Sequence, residues 1–262
     1  MPAATCHSSA GVGPGLPGRA LTFADPVDSF RPYPPMDEKS LFYERFAERF
    51  DREMNRYDLE RRLEIVFDEL VPRDLEGVSL LDAGCGTGWF SAEACRRGAR
   101  VTSVDVGDKL LAEVAKKCDS RRVVGDLLAL PFEHASFDVV VCTEVIEHTV
   151  DPGRAVAELA RVLRPGGTLG LTVPNRAWHL AIDVANLLKL RPYEGYENWV
   201  GWSALRQLVT SAGLTIDRMR GFHLFPFVVP WTHGLLRRAD AHGDRLGPIM
   251  LNLGVRAHKP RA

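Results

Sequence analysis

The sequence has no long apolar run. Nowhere do about 20 consecutive residues stay hydrophobic, which excludes a transmembrane helix. Its first residues lack the basic start and compact apolar stretch of a signal peptide. No CxxC pair occurs. The five cysteines (Cys6, Cys85, Cys95, Cys118 and Cys142) read as reduced thiols of a cytoplasmic protein, not as a disulfide framework. Neither charge is in excess: 33 Lys+Arg stand against 34 Asp+Glu, a net charge of −1. That balance argues against a chain whose main task is to grip a polyphosphate backbone. What is present is ordinary for a globular protein. The 262 residues are 45% hydrophobic and 26% charged, enough for one large domain or a domain with an extension.

Residues 1–36 are rich in Gly, Pro, Ala and Ser and carry little hydrophobic periodicity, so a flexible or disordered start is expected. From Glu38 the pattern changes. Leu41, Phe42, Phe46 and Phe50 recur at helical spacing, as do Leu59, Leu63, Val66, Phe67 and Leu70. These predict two amphipathic helices forming a lid over 37–74, the second ended by Pro72. A β/α rhythm follows. Strands are expected at Val78–Asp82, Arg100–Asp105, Arg122–Gly125, Phe137–Cys142 and Thr168–Val173. Helices are expected from the glycine cluster to Arg97, and at Asp108–Cys118, Asp151–Leu163 and Ser203–Ala212. Asp151 and Pro152 form an N-terminal cap and first turn, and Pro165-Gly166-Gly167 a turn. Strands near Leu214–Arg218 and Ile249–Ala257 close the chain. Such alternation predicts an α/β, Rossmann-like domain over 75–262 with a parallel sheet and right-handed crossovers.

Leu81-Asp82-Ala83-Gly84-Cys85-Gly86-Thr87-Gly88 joins the first strand to the first helix of that rhythm. Glycines allow a tight turn and close backbone approach to a ligand, and the helix start offers free N–H groups. The spacing is GxGxG, one residue short of the dinucleotide fingerprint, and no Walker GK[ST] is present. The loop is nucleotide-like without fitting the NAD or ATP pattern. Asp105 ends the second strand about 20 residues on, where a carboxylate can accept both hydroxyl protons of a ribose. Gly125-Asp126 ends the third, where an acid can accept from an adenine amino group.

These motifs, with Phe137-Asp138-Val139-Val140 and Leu163-Arg164-Pro165-Gly166-Gly167, resemble in order and spacing the class I S-adenosylmethionine (SAM) methyltransferases over roughly residues 75–175. The resemblance implies a seven-stranded sheet with its last strand antiparallel. It implies SAM as cofactor, with Gly84, Gly86 and Gly88 along the methionine part and Asp105 on the ribose. Asp126 and Leu127 would bracket the adenine. Asp82, Cys85, Val106 and Thr143 complete the implied cofactor surface.

Thr143-Glu144-Val145-Ile146-Glu147-His148 follows the fourth strand directly. In open α/β sheets ligands sit beyond the carboxyl ends of strands, which puts this segment beside the cofactor. In a helical turn, Glu144, Glu147 and His148 share one face. Two carboxylates and an imidazole there suit a divalent metal: Mg or Mn through the carboxylates, Fe or Zn through the imidazole. A cation on the acceptor oxygen would lower the pKa of a phenol from about 10 and orient the nucleophile. The plainer alternative makes His148 a metal-free general base oriented by Glu147, or a helix cap. The segment CTEVIEHTVDP and Val173-Pro174-Asn175-Arg176 are similar to the ubiquinone-biosynthesis O-methyltransferases of prenylated catechols. By that resemblance Glu144, Glu147 and His148 match the metal-binding positions. Gly195-Tyr196-Glu197-Asn198-Trp199 stands where that family has Gly-Thr-His-Asp-Trp, so Glu197 replaces the next histidine. The small-RNA 3′-end 2′-O-methyltransferases carry a similar EVIEH segment. They also need a histidine-rich element that is absent between Asn175 and Trp202. With the neutral charge, this makes RNA the weaker reading.

The acceptor side is expected from the insertion at 175–200 (Trp178, His179, Tyr193, Tyr196, Trp199, with Trp202 just beyond) and from the link at 221–236. The link runs Gly221-Phe222-His223-Leu224-Phe225-Pro226-Phe227-Val228-Val229-Pro230-Trp231. Both are apolar and aromatic, as a pocket for a hydrophobic acceptor would be, or as packing of a lid on the sheet would be. The link also suits a peripheral membrane contact. Tyr43 and Tyr57 are placed by position towards the cofactor. The expectation is a SAM-dependent methyltransferase acting on a hydroxyl of a small aromatic or lipidic molecule, with no nucleic-acid partner. An enzyme on RNA ends and a non-catalytic SAM-binding protein are the alternatives.

Overall fold

The computed structural model describes residues 47, 51–52, 54–179 and 198–261. The start at 1–36, most of the first expected helix, Tyr43, Tyr193, Tyr196 and Glu197 lie outside the described residues.

Seven strands form one sheet: β1 Ser79–Ala83, β2 Arg100–Asp105, β3 Arg121–Val124, β4 Phe137–Thr143, β5 Leu163–Pro174, β6 Thr215–Phe222 and β7 Asn252–His258. Their order is β3-β2-β1-β4-β5-β7-β6, with β7 antiparallel to both neighbours and every other pair parallel. The expected last antiparallel strand is therefore present. The order reverses direction between β1 and β4, and that switch point is where such sheets open a crevice at their carboxyl ends.

Helix α1 spans Arg56–Ile65 and runs into a π-helical turn, Val66–Leu70. Asn55 caps it by accepting from the N–H of Asp58 at 3.1 Å. The apolar spacing read from the sequence is its buried face. Ile65, Val66, Phe67 and Leu70 are fully buried, in one cluster with Leu80, Val139, Val141 and Phe222 of the sheet. Charges fasten the same helix to the carboxyl-terminal region: Arg61 Nε donates to Asp240 Oδ2 at 2.7 Å, and Arg237 bonds Glu64 at 2.8 Å.

Helix α2 (Trp89–Arg96) and α3 (Asp108–Ala115) follow β1 and β2; α4 (Pro152–Val162) follows β4 and α5 (Trp202–Ser211) precedes β6. Asp151 caps α4, accepting from the N–H of Arg154 at 2.9 Å with Pro152 in the first turn, as the sequence predicts. Two features depart from expectation. Pro165-Gly166-Gly167 is not a free turn but an irregular stretch inside β5, where pairing with β4 shifts register between Phe137 and Val139. Beyond β6 the chain forms α6 (His233–Asp240) and the short α7 (Gly243–Leu246), neither apparent in the sequence pattern. Among the described residues no helix is long and apolar enough to cross a membrane.

Candidate active site

The glycine loop leaves β1 with Gly84 at φ +73° and Gly86 at φ +52°, conformations that side chains rarely adopt. The two have different surroundings. A β-carbon on Gly84 would stand 2.5 Å from Val145 Cγ1, whereas one on Gly86 would meet nothing within 4 Å. Gly86 faces open space, as a loop that receives a ligand requires. Gly84 and Cys85 donate their N–H groups to Val104 O at 2.8 and 3.0 Å, which pins the loop to the end of β2.

Asp105 ends β2 and is gripped from two sides. Its Oδ2 accepts the Gly86 N–H at 2.8 Å and its Oδ1 the Gly107 N–H at 3.1 Å. The loop and the acidic strand end are therefore one unit. Val106 beside it is half-buried. Asp126 accepts the Leu128 N–H at 2.8 Å, and Leu127 is buried. Cys85 and Thr143 are buried too, and burial pushes the Cys85 thiol well above its usual range. Asp82 lies beneath the loop, almost fully buried. It accepts from Ser91 Oγ at 2.6 Å, and Ser91, Ser103 and Ser120 form a hydroxyl chain at 2.7 and 2.8 Å. Burial, aided by the nearby Asp105 charge, lifts the Asp82 carboxyl to about 7 against the pull of Ser91.

Asp51, outside the sheet, ties the preceding segment to this loop. Its carboxylate accepts from Thr87 Oγ1 at 2.6 Å and Trp89 Nε1 at 2.9 Å, and pairs with Lys117 at 2.7 Å. Burial alone would raise its pKa, but the bonds from Lys117, Thr87 and Trp89 outweigh it and hold the carboxyl low. Beside it a cavity of about 280 Å³ is lined by Met54, Leu59, Leu63 and Trp89, among others.

Beyond β4 the backbone turns sharply. Glu144 has φ +54° and only Ile146–His148 forms a 3-10 turn. The helical face that would align Glu144, Glu147 and His148 therefore does not form. Glu144 Oε2 accepts from Asn252 Nδ2 at 2.9 Å, at the start of β7. Glu147 is 1% exposed, and its Oε1 lies 3.8 Å from His148 Nε2. Register explains the company these groups keep. Thr143 pairs with Thr172, Pro174 with Asn252, and Asn252 with Phe222. The ends of β4, β5 and β6 and the start of β7 thus share one edge, and His223 follows Phe222 there. Into this edge α1 sends Asp58 and Arg62, joined as an ion pair; Asp58 Oδ1 also lies 3.2 Å from His223 Nε2.

Residues 81–171 match the family described as "Methyltransferase domain". The chain is 36% identical over 174 residues to a ubiquinone biosynthesis O-methyltransferase of Hahella chejuensis, covering 61% of this chain and 72% of the relative. It is 33% identical over 191 residues to the protein of that name in Rhizobium etli, covering 69% and 76%. A SAM-dependent methyltransferase structure from Mesorhizobium loti shares the fold at a TM-score of 0.58 and 18% identity, covering 77% of this chain and 100% of that one. The chain belongs to the class I SAM-dependent methyltransferases.

In this methyltransferase the described residues do not bring the expected metal ligands together. Among the described residues no group of three His, Cys, Asp or Glu side chains comes together that could hold an ion. The left-handed Glu144 breaks the helical turn on which the three-ligand face depended, and Glu144 is engaged with Asn252. Other placements differ as well. Tyr57 does not point at the glycine loop. Its ring stacks on His233 at 3.7 Å and its hydroxyl donates to the His233 carbonyl at 3.2 Å. The apolar link divides: Phe222 and His223 are fully buried, while Val228 (73%) and Trp231 (84%) are exposed. Of the insertion, Asn175 clamps the 247–250 carbonyls, donating to Met250 O at 2.7 Å, and Trp178 donates to Ile249 O at 2.9 Å. Sequence reading missed Asp51, Asp58, Arg62 and Asn252. The only signal for two of them was that Asp58 and Arg62, four apart, fall on the face that carries Leu59 and Val66.

Proposed function

We propose that the enzyme transfers the methyl group of SAM to a hydroxyl of a small aromatic or lipidic acceptor. The observation that carries this reading is the Glu147–His148 pair on the turn directly after β4, at the sheet edge that also presents the glycine loop and Asp105. The two relatives named above are O-methyltransferases by name, which favours oxygen as the receiving atom.

On this reading Asp105, fixed by the Gly86 and Gly107 N–H groups, accepts from the ribose hydroxyls. Gly84, Gly86 and Gly88 admit the methionine part. Asp126 and Leu127 flank the adenine, and Asp82, Cys85, Val106 and Thr143 support that surface. His148 is the base. It takes the hydroxyl proton as the oxygen attacks the methyl carbon; the C–O bond forms, the S–C bond breaks, and the electron pair stays on sulfur as S-adenosylhomocysteine leaves. Most of the rate then comes from holding oxygen, methyl and sulfur in line. Glu147 orients His148 and stabilises its charged form.

The test is incubation with methyl-labelled SAM, a panel of hydrophobic phenols and catechols, and total cellular RNA in a parallel tube. Label in a phenol ether supports the reading. Label in RNA alone, or SAM binding without transfer to any acceptor, overturns it.

A further inference from the structure

The turn after β4 closes on itself with two bonds: His148 N–H donates to Val145 O at 2.9 Å and Thr149 N–H to Ile146 O at 3.1 Å. Only Ile146–His148 is 3-10 helix, a form whose hydrogen-bond geometry is poorer than that of an α-helix, so the turn needs support. Its next carbonyls, of Glu147 and Thr149, are met from outside, and by a single residue. Asn198 donates its backbone N–H to Glu147 O at 2.7 Å and its side-chain Nδ2 to Thr149 O at 2.5 Å. Because Thr149 presents a carbonyl, only the amide nitrogen of Asn198 can face it. The two gripped carbonyls lie on either side of His148 along the chain.

Asn198 is itself well rooted. Two residues on, Val200 is buried in the core cluster that holds Leu171 and Val173 of β5. Val200 pairs with Asn175 in a parallel bridge, and its carbonyl accepts the Arg176 N–H at 3.2 Å. Residues 198–200 are thus an arm fixed to the end of β5 that grips the turn after β4 at its tip.

We propose that Asn198 is the positioning residue for His148: by holding the carbonyls before and after it, Asn198 fixes the backbone from which the imidazole reaches the acceptor hydroxyl. This rests on the reading above, in which His148 takes the proton, and Asn198 acts only through it. A base must lie within hydrogen-bond reach of its proton, and a misplacement of about 1 Å can cost about a hundredfold.

The test uses the full chain, methyl-labelled SAM and a catechol carrying an alkyl chain. Asn198→Ala should lower kcat by roughly ten- to a hundredfold, with KM for the catechol and SAM affinity by calorimetry each within a factor of about two. Asn198→Asp keeps the shape but cannot donate, so it should fall at least as far; wild-type turnover in that variant overturns the proposal, since Asn198 would then only fill space. Added to His148→Ala, Asn198→Ala should cost nothing further, because the two act as one unit. The same fold loss in both backgrounds overturns it. Hydrogen exchange reads the geometry without turnover: the His148 and Thr149 amides should exchange at least roughly tenfold faster in Asn198→Ala, and unchanged protection overturns the proposal. If Asn198→Ala does not fold, Asn198→Asp carries each comparison. Full activity in His148→Ala would sink the base reading instead, and the exchange rates then decide by themselves whether Asn198 holds the turn. They decide it equally if the wild type leaves the catechol unmethylated.

Discussion

The N–H of Gly86 donates to Asp105 Oδ2 at 2.8 Å, across 19 positions of sequence. One bond joins the glycine loop after β1 to the acid that ends β2. The Gly107 N–H holds the other oxygen at 3.1 Å. A carboxylate gripped by two backbone donors keeps its direction, and its remaining lone pairs are set before a ligand arrives.

On the proposed SAM site, Asp105→Ala removes both the ribose acceptor and the anchor of the loop. SAM affinity should fall at least roughly a hundredfold, the loss of two charge-assisted hydrogen bonds of about 1.5 kcal/mol each. Asp105→Asn, which keeps the shape, should fall between. Calorimetry with SAM measures both, and an unchanged affinity in Asp105→Ala removes Asp105 from the cofactor site.

The strands along the chain, the glycine loop and the acidic strand ends were legible because each is local. A run of Val and Leu, a glycine cluster and a carboxylate at a strand end sit within a few residues of one another. The edge behind β4 was not legible in the same way. Glu144, Asn252, His223, Asp58 and Arg62 come from distant positions, and only strand register and the docking of α1 bring them together. The motif at 144–148 does not form the expected three-ligand face for a local reason: the left-handed Glu144 turns aside to Asn252, while Glu147 and His148 stay together.

His148→Ala should cut methyl transfer by roughly a hundredfold or more while leaving SAM affinity within a factor of about two, since general bases contribute about 10²–10⁴. Labelled-SAM transfer and calorimetry on one preparation separate the two. Equal transfer by the variant would hand the proton to another group.

Asp82 gives a pH signature. Its carboxyl is lifted to about 7 in the folded protein, above the ordinary 3.8 of the free side chain. A raised folded pKa means the native state prefers the protonated acid. Stability from Asp82 is therefore intact below about pH 4 and is lost as pH climbs towards 7, by a few kcal/mol at most. Asp82→Asn keeps an acceptor for Ser91 and has no proton to lose. Urea unfolding at pH 5 and pH 8 should show the variant gaining on the wild type as pH rises. A difference that is constant across that range would mean Asp82 is ionised in the fold.

Gly84 and Gly86 share a left-handed backbone yet should fail differently when a methyl is added. At Gly84 the new β-carbon sits 2.5 Å from Val145 Cγ1, so Gly84→Ala carries both backbone strain and a collision with the turn that leads to His148. It should destabilise by about 2–4 kcal/mol, and Val145→Ala in the same chain should recover the steric part only, leaving about 1–2 kcal/mol of left-handed cost. At Gly86 the added carbon meets nothing within 4 Å. Gly86→Ala should therefore lose only the backbone term from stability, while SAM affinity drops by roughly tenfold or more because the methyl enters the space the ligand needs. Denaturant midpoints and calorimetry on the three variants make a two-way comparison. If Gly86→Ala binds SAM as the wild type does, the open face of the loop is not where the cofactor lies.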